Sequence, residues 1–145
     1  MLIGQKELII DDKGRLVLPS LYRDDFKGGL SYCGLGLDGC LVLYPTETYQ
    51  KEANKYMSLD DFDSQARSVK RTFLSNTFEV PIDSHNRILV PKPLLEKTKT
   101  GRKVTAVGIG DHLEIWDSAV FNSMSASKEE SYSADAAKLI GTKKA

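Results

Sequence analysis
Short apolar runs flanked by turn residues fill positions 1–45, helical spacing takes over at 46–76, and the short runs return at 77–121. Glu7 to Ile10 reads as a short strand. The DDKG that follows is a turn, since Asp and Gly tolerate the positive φ of tight loops. Arg15 to Leu18 is the returning strand, nearly all apolar and therefore expected to be buried on both faces. Pro19 suits the first position of a short helix through Phe26, where its missing N–H needs no partner, and Gly28-Gly29 ends that helix. SYCGLGL and CLVLY, joined through Asp38-Gly39, read as a hairpin. The later region turns at Gly110-Asp111 instead. Each half thus reads β-turn-β-helix-β-turn-β.

The middle segment predicts two helices. TETYQKEANKYM starts at Thr46, a candidate cap. SLDDFDSQARSVKRTFLSN starts at Ser58, with Asp60 and Asp61 in a first turn where acids suit the helix dipole. Phe62, Ala66, Val69 and Phe73 form one helical stripe. Arg67, Lys70 and Arg71 lie off it, and a solvated face is favoured for them over nucleic-acid contact. Pro91 and Pro93 open a second short helix, and Ser118 to Met124 copies the start of 46–57. The tail after it is rich in Ser, Ala and Lys; it is expected to fray, with a turn or two of helix near ADAAKLI.

The two halves are copies. A slide of 72 residues lays 8–49 on 80–121 without a gap. Ile10, Asp11, Arg15, Pro19, Gly29, Gly36 and Leu41 fall on Ile82, Asp83, Arg87, Pro91, Gly101, Gly108 and Leu113. Leu16-Val17-Leu18 falls on Ile88-Leu89-Val90, and Tyr44 and Tyr49 fall on Trp116 and Phe121. Two copies are too few for a solenoid. They predict two pseudo-symmetric halves sharing one core.

Composition narrows the function. The 145-residue chain holds 20 basic and 20 acidic residues, a formal net charge of zero. That weighs against a generally basic nucleic-acid coat but leaves room for a local patch multiplied by an oligomer. No apolar run approaches the roughly 20 residues of a membrane helix, and MLIGQKELII is not expected to be a signal peptide. Cys33 and Cys40 lack metal or redox spacing and are expected to be reduced thiols; no metal site or cofactor is expected. GLGLDG at 34–39 matches a dinucleotide pattern, but a strand and not a helix follows it.

The chemistry concentrates in the repeated turns, DDKGR and DSHNR. One reading is structural: Asp11 with Arg15, and Asp83 with Arg87, pin their loops. The other is anion recognition. Lys13, Arg15, His85, Asn86 and Arg87 project from related hairpin ends. Arg offers a planar fork to phosphate or to guanine, and Lys a point charge. Asp11 and Asp83 would then orient the guanidinium groups, since a bare carboxylate repels phosphate. Asp83 with His85 could be read as an acid/base pair, yet no oxyanion turn, phosphate loop or metal triad accompanies them, so no enzyme is expected.

DDKGRLVLP with its LYR helix, and IDSHNRILVP with KPLLEK, resemble the twin DxxxR signatures of the MraZ family. ARSVKRTFLSN and LEIWD are similar to that family's middle and end, and the resemblance spans roughly residues 1–125. It implies an α+β fold similar to AbrB: two pseudo-symmetric ββαβ-type repeats forming one swapped-hairpin β-barrel, with helices between and after the repeats. The units would be 1–49 and 77–124, with connecting helices at 50–76 and a polar, partly disordered tail at 125–145. One chain would supply both units, so that the second loop replaces a dimer partner's. The resemblance further implies a non-enzymatic transcriptional regulator of the division and cell-wall gene cluster. It would bind repeated boxes in double-stranded promoter DNA as a homo-oligomeric ring, in the cytoplasm and nucleoid, with no membrane or small-molecule partner. Asp11, Arg15, Asp83 and Arg87 fall on its signature positions, Lys13 is an added contact, and His85 sits at a variable position. Ring closure needs a heterologous interface. Tyr44, Tyr49, Trp116 and Phe121 are candidates for it, and equally for the core. The alternative is a ring-shaped scaffold or partner-binding protein without a DNA role.

Overall fold
A computed structural model describes residues 1–141. Its strands are β1 (Gln5–Ile9), β2 (Arg15–Val17), β3 (Leu30–Leu35), β4 (Leu41–Pro45), β5 (Phe78–Pro81), β6 (Arg87–Leu89), β7 (Lys103–Gly108) and β8 (Leu113–Asp117). The helices are α1 (Ser20–Arg23), α2 (Thr46–Met57), α3 (Ser64–Ser75), α4 (Lys92–Lys97) and α5 (Ser118–Ile140). Six strands form one antiparallel sheet in the order β1-β7-β8-β4-β3-β5, and β2 pairs with β6 as a separate two-stranded ribbon. The fold is α+β.

The pairings exchange strands between the repeats. The first strand of each repeat adds to the third strand of the other: β1 lies on β7 and β5 on β3. The second strands pair with each other, Leu16 opposite Ile88. The fourth strands do the same, Val42 opposite Glu114. An approximate two-fold relation therefore runs through the Leu16–Ile88 and Val42–Glu114 pairs.

The main apolar core lies between ribbon and sheet. Leu16, Leu18, Ile88 and Val90 meet Tyr22, Cys33, Leu43, Val104, Leu113 and Ile115 there. Fully burying one such side chain contributes roughly 1.5–3 kcal/mol. A second cluster joins Cys40, Val42, Tyr44, Trp116 and Phe121. Three of the four aromatic interface candidates are thus core residues. Tyr49 continues outward in a ring ladder, stacking on Tyr32 at 4.3 Å and on Phe73 at 6.1 Å, and Tyr56 closes on Phe73 at 3.8 Å. Cys33 and Cys40 are free and buried, and burial pushes both thiols up to about 12.

The structure corrects several expectations. β2 and β6 are not buried on both faces: Val17 and Leu89 are 47% and 59% exposed. The ribbon lies over the sheet as an outer layer, so only alternate residues reach the core. α1 is shorter than expected and Pro19 is its N-cap residue. Pro45 takes the corresponding place before α2, and Thr46 makes no capping bond. α3 begins at Ser64, not Ser58. Asp63 caps it, its Oδ1 accepting from the N–H groups of Gln65 and Ala66 at 2.8 and 3.2 Å. Phe62 therefore falls outside the helix, 95% exposed, and only Phe73 of the expected stripe is buried.

The gapless repeat also fails in one place. The Ile10 N–H donates to the Arg102 carbonyl at 2.8 Å, and the Ile82 N–H to that of Gly29 at 2.9 Å. Arg102 thus corresponds to Gly29, one residue beyond the sequence alignment. The extra residue lies between α4 and β7, and a shorter β7–β8 turn restores the frame by β8. Gly108 is accordingly not the counterpart of Gly36. A Cβ on it would overlap the N-terminal segment at the Ile3 nitrogen and the Leu2 carbonyl carbon.

The tail differs as well. α5 continues through Ile140 and ends at Gly141, whose φ of 65° lets its N–H reach the Ala137 carbonyl. Ser118 and Phe121 anchor its first turns. A helix already nucleated there extends at little cost through Ala, Lys and Glu, all good helix formers. The last part of the expected tail, residues 142–145, lies outside the described residues. Among the described residues no helix is long and apolar enough to cross a membrane.

Candidate nucleic-acid interface
Loop one (residues 11–15) and loop two (83–87) close with the same bonds. In loop one, Asp11 Oδ1 accepts from the N–H groups of Lys13 and Arg15, both at 2.9 Å. Asp11 Oδ2 accepts from Arg15 Nε at 2.9 Å. In loop two, Asp83 Oδ1 accepts from the His85 and Arg87 N–H groups at 2.8 and 2.9 Å, and Asp83 Oδ2 accepts from Arg87 Nε at 2.8 Å. The i to i+2 bond is the habitual Asx turn; the DxxxR spacing lets the same carboxylate also take the arginine's N–H and Nε. The fourth loop residue is left-handed in both copies, Gly14 with φ 84° and Asn86 with φ 61°. Asn is among the few residues besides Gly that adopt this region readily.

These bonds hold both carboxylates ionised. The Arg15 backbone N–H, with help from its guanidinium, lowers the pKa of Asp11. The Arg87 backbone N–H does the same for Asp83, down to about 2. Each carboxylate spends its charge on its own loop. Each arginine commits Nε, while among the described residues its two Nη groups bond to nothing; the side chains are 33% and 31% exposed.

The ribbon then sets where the arginines stand. Arg15 lies opposite Leu89 and Arg87 opposite Val17. Residues two apart share a strand face, so Arg15, Val17, Arg87 and Leu89 all lie on the outer face. The arginines are diagonal neighbours across it, with Cα atoms roughly 7–8 Å apart. Val17 and Leu89 complete this patch, and sequence reading missed both because it took the strands as wholly buried. The loops are tied reciprocally to the opposite strand: the Leu18 N–H donates to the Asn86 carbonyl at 2.8 Å, and the Val90 N–H to that of Gly14 at 2.9 Å.

The other candidates sort by geometry. Lys13, at the tip of loop one, is exposed. The His85 ring approaches Ser84 Oγ at 3.5 Å, whereas only the backbone of His85 bonds the Asp83 carboxylate; imidazole and carboxylate do not form an acid/base dyad. GLGLDG is a hairpin tip between β3 and β4, with no helix N-terminus behind it. Lys70 pairs with Asp61 at 2.6 Å and Arg67 Nη1 bonds the Asp61 carbonyl at 2.8 Å, so both fasten the turn before α3. An open groove of about 850 Å³ beside loop one is rimmed by Lys13, Lys92 and Arg102 but also by Asp11, Asp12 and Glu79, so its charge cancels.

This pair of loops, one per repeat, coincides with what sequence comparison returns. A family profile described as "MraZ protein, putative antitoxin-like" matches twice, over residues 1–72 and 73–143. The chain belongs to the MraZ family. Proteins named transcriptional regulator MraZ are similar over most of its length. That of Mycoplasmoides gallisepticum is 38% identical over 117 residues, covering 81% of this chain and 82% of the relative. That of Caldanaerobacter subterraneus subsp. tengcongensis is 33% identical over 132 residues, covering 91% and 92%. That of Moorella thermoacetica is 32% identical over 140 residues, covering 97% of each.

Proposed function
We propose that this member of the MraZ family is a sequence-specific regulator of transcription that binds double-stranded promoter DNA through loops one and two. One observation carries the reading: two arginines on the same outer face of the β2–β6 ribbon, each oriented by a carboxylate and each with free Nη groups. A two-stranded ribbon fits the major groove. There the free Nη edges can meet phosphate oxygens or guanine O6 and N7. Lys13, His85 and Asn86 extend the contact surface at the two ends, and Asp11 and Asp83 orient without touching DNA.

The strand exchange between repeats supports a swapped-hairpin barrel, with both DNA-facing loops supplied by one chain. The resemblance extends the proposal to repeated boxes upstream of the division and cell-wall genes, a ring-shaped homo-oligomer, and a cytoplasmic, nucleoid-associated protein. The physics favours an oligomer. A subunit of zero net charge binds DNA weakly, while linked subunits on spaced boxes gain about 10²–10⁴-fold in avidity without new contacts.

The test is a footprint and gel titration of the purified protein on its own upstream DNA. Arg15→Ala and Arg87→Ala are each expected to weaken binding while native mass is unchanged. Log affinity against log salt should fall with a slope of about −0.9 per phosphate contacted, shallower in the variants. Binding that ignores salt overturns the reading. No retardation, together with capture of a protein partner, would favour the scaffold alternative, whose aromatic edge is largely buried in the second cluster.

A further inference from the structure
We infer that Arg102, carried by the second repeat, is a positioning residue for the DNA-binding end of loop one: it cancels the charge of Asp12, which loop two lacks. This rests on the proposed DNA reading and goes beyond it. Arg102 Nη2 lies 2.7 Å from Asp12 Oδ1, and its Nε donates to the Ile10 carbonyl at 3.3 Å. The side chain thus spans from the entry of loop one to its second residue, from 90 positions away in the chain.

The internal repeat supplies the control. Ser84 stands in loop two where loop one has Asp12, and Gly29 stands where the second repeat has Arg102. Where the acid is missing, the base that answers it is missing too. Both loops otherwise share one bonding scheme, so loop closure does not require the pair. What differs is charge at the exposed tip. Asp11 is engaged by its own loop, whereas Asp12 is 85% exposed and bonds nothing inside it. Left alone, Asp12 would set a carboxylate beside Lys13 and Arg15, on the side that must approach a polyanion. Arg102 cancels it. Loop two needs no such partner, because serine is neutral.

The test is a four-protein comparison of binding to the duplex upstream of the protein's own gene: wild type, Arg102→Ala, Asp12→Ser and the double variant. Arg102→Ala leaves Asp12 uncompensated and is expected to weaken binding about three- to tenfold at low salt, less at high salt. The double variant, which gives loop one the chemistry of loop two, is expected to return within about twofold of wild type, and Asp12→Ser alone to bind at least as tightly. A merely structural brace would not be rescued by removing its partner. Unchanged binding in Arg102→Ala, or a double variant as weak as the single, overturns the inference. Arg15→Ala runs alongside. If it also binds normally, the DNA reading itself falls; if it is weak while Arg102→Ala is not, only the role of Arg102 does.

Discussion
Leu16 and Ile88 face each other at the centre of the β2–β6 ribbon, 2% and 1% exposed, and the approximate two-fold between the repeats passes between them. Their neighbours Val17 and Leu89, one step along each strand, point the other way. Truncation should read out this difference. Leu16→Ala and Ile88→Ala are each expected to cost about 2–5 kcal/mol, and Val17→Ala and Leu89→Ala within about 0.5 kcal/mol. Urea unfolding with an unchanged m-value checks it. Equal losses on both faces would contradict the ribbon's placement as an outer layer.

The loops predict a specific acid response. The folded-state pKa of Asp83 is depressed to about 2 from an ordinary 3.8, chiefly by the Arg87 N–H, and that of Asp11 is depressed likewise. A depressed carboxylate contributes stability that is fully present above its unfolded pKa and is lost as pH falls through the folded value. Wild type should therefore lose stability between pH 3.8 and about 2. Asp83→Asn should start less stable at neutral pH and lose less across that window. Thermal midpoints of both proteins over the range decide it; parallel curves would mean that Asp83 does not hold loop two.

Two glycines should fail for different reasons. A Cβ on Gly14 would sit in ordinary van der Waals contact, 3.6 Å from Leu89 Cδ1 and 3.9 Å from the Val90 carbonyl oxygen, but its φ of 84° strains any L side chain, so Gly14→Ala is expected to cost about 1–2 kcal/mol. Gly108 has no positive φ; its Cβ would overlap the backbone of Leu2 and Ile3. Gly108→Ala should dislodge the N-terminal segment, ending the hydrogen bond from its own N–H to the Gly4 carbonyl. Native-state hydrogen exchange separates the cases: the second variant should lose protection along β1, and the first at loop one.

Much of this architecture is written locally. The Asx turns and the left-handed fourth loop residue are decided within five residues of chain, in DDKGR and DSHNR. The expectation that these turns join hairpins fails, because β1 pairs with β7, β5 with β3, and β2 with β6; the hairpins are β3–β4 and β7–β8. The face that β2 presents was not legible: the apolar run LVL favours burial on both faces, whereas Val17 points outward beside Arg15. What escaped depends on distance. Ser58 is not the cap of α3 because it ends α2, its Oγ donating to the Asn54 carbonyl at 2.8 Å, and Asp63 caps α3 instead. Arg102 meets Asp12 only through the exchange of strands between repeats and a one-residue shift that a gapless alignment hides. The length of α5 follows from nucleation at a packed first turn, which polar composition does not disclose.

The outer face offers the sharpest separation of fold from function. Val17 lies directly opposite Arg87, and Leu89 opposite Arg15. A carboxylate at either place can pair across the ribbon, a contact worth about 0.2–1 kcal/mol in a sheet. Val17→Glu and Leu89→Glu should therefore fold as well as wild type. In each, the new carboxylate occupies the free Nη edge of one arginine and adds a negative charge between the two loops. Binding to the upstream duplex should fall about tenfold or more at low salt, recovering in relative terms as salt screens the repulsion. The glutamine variants of the same positions, neutral and of similar size, should stay close to wild type. Normal DNA binding by both glutamate variants, with the fold intact by circular dichroism, would mean that the ribbon's outer face does not meet DNA.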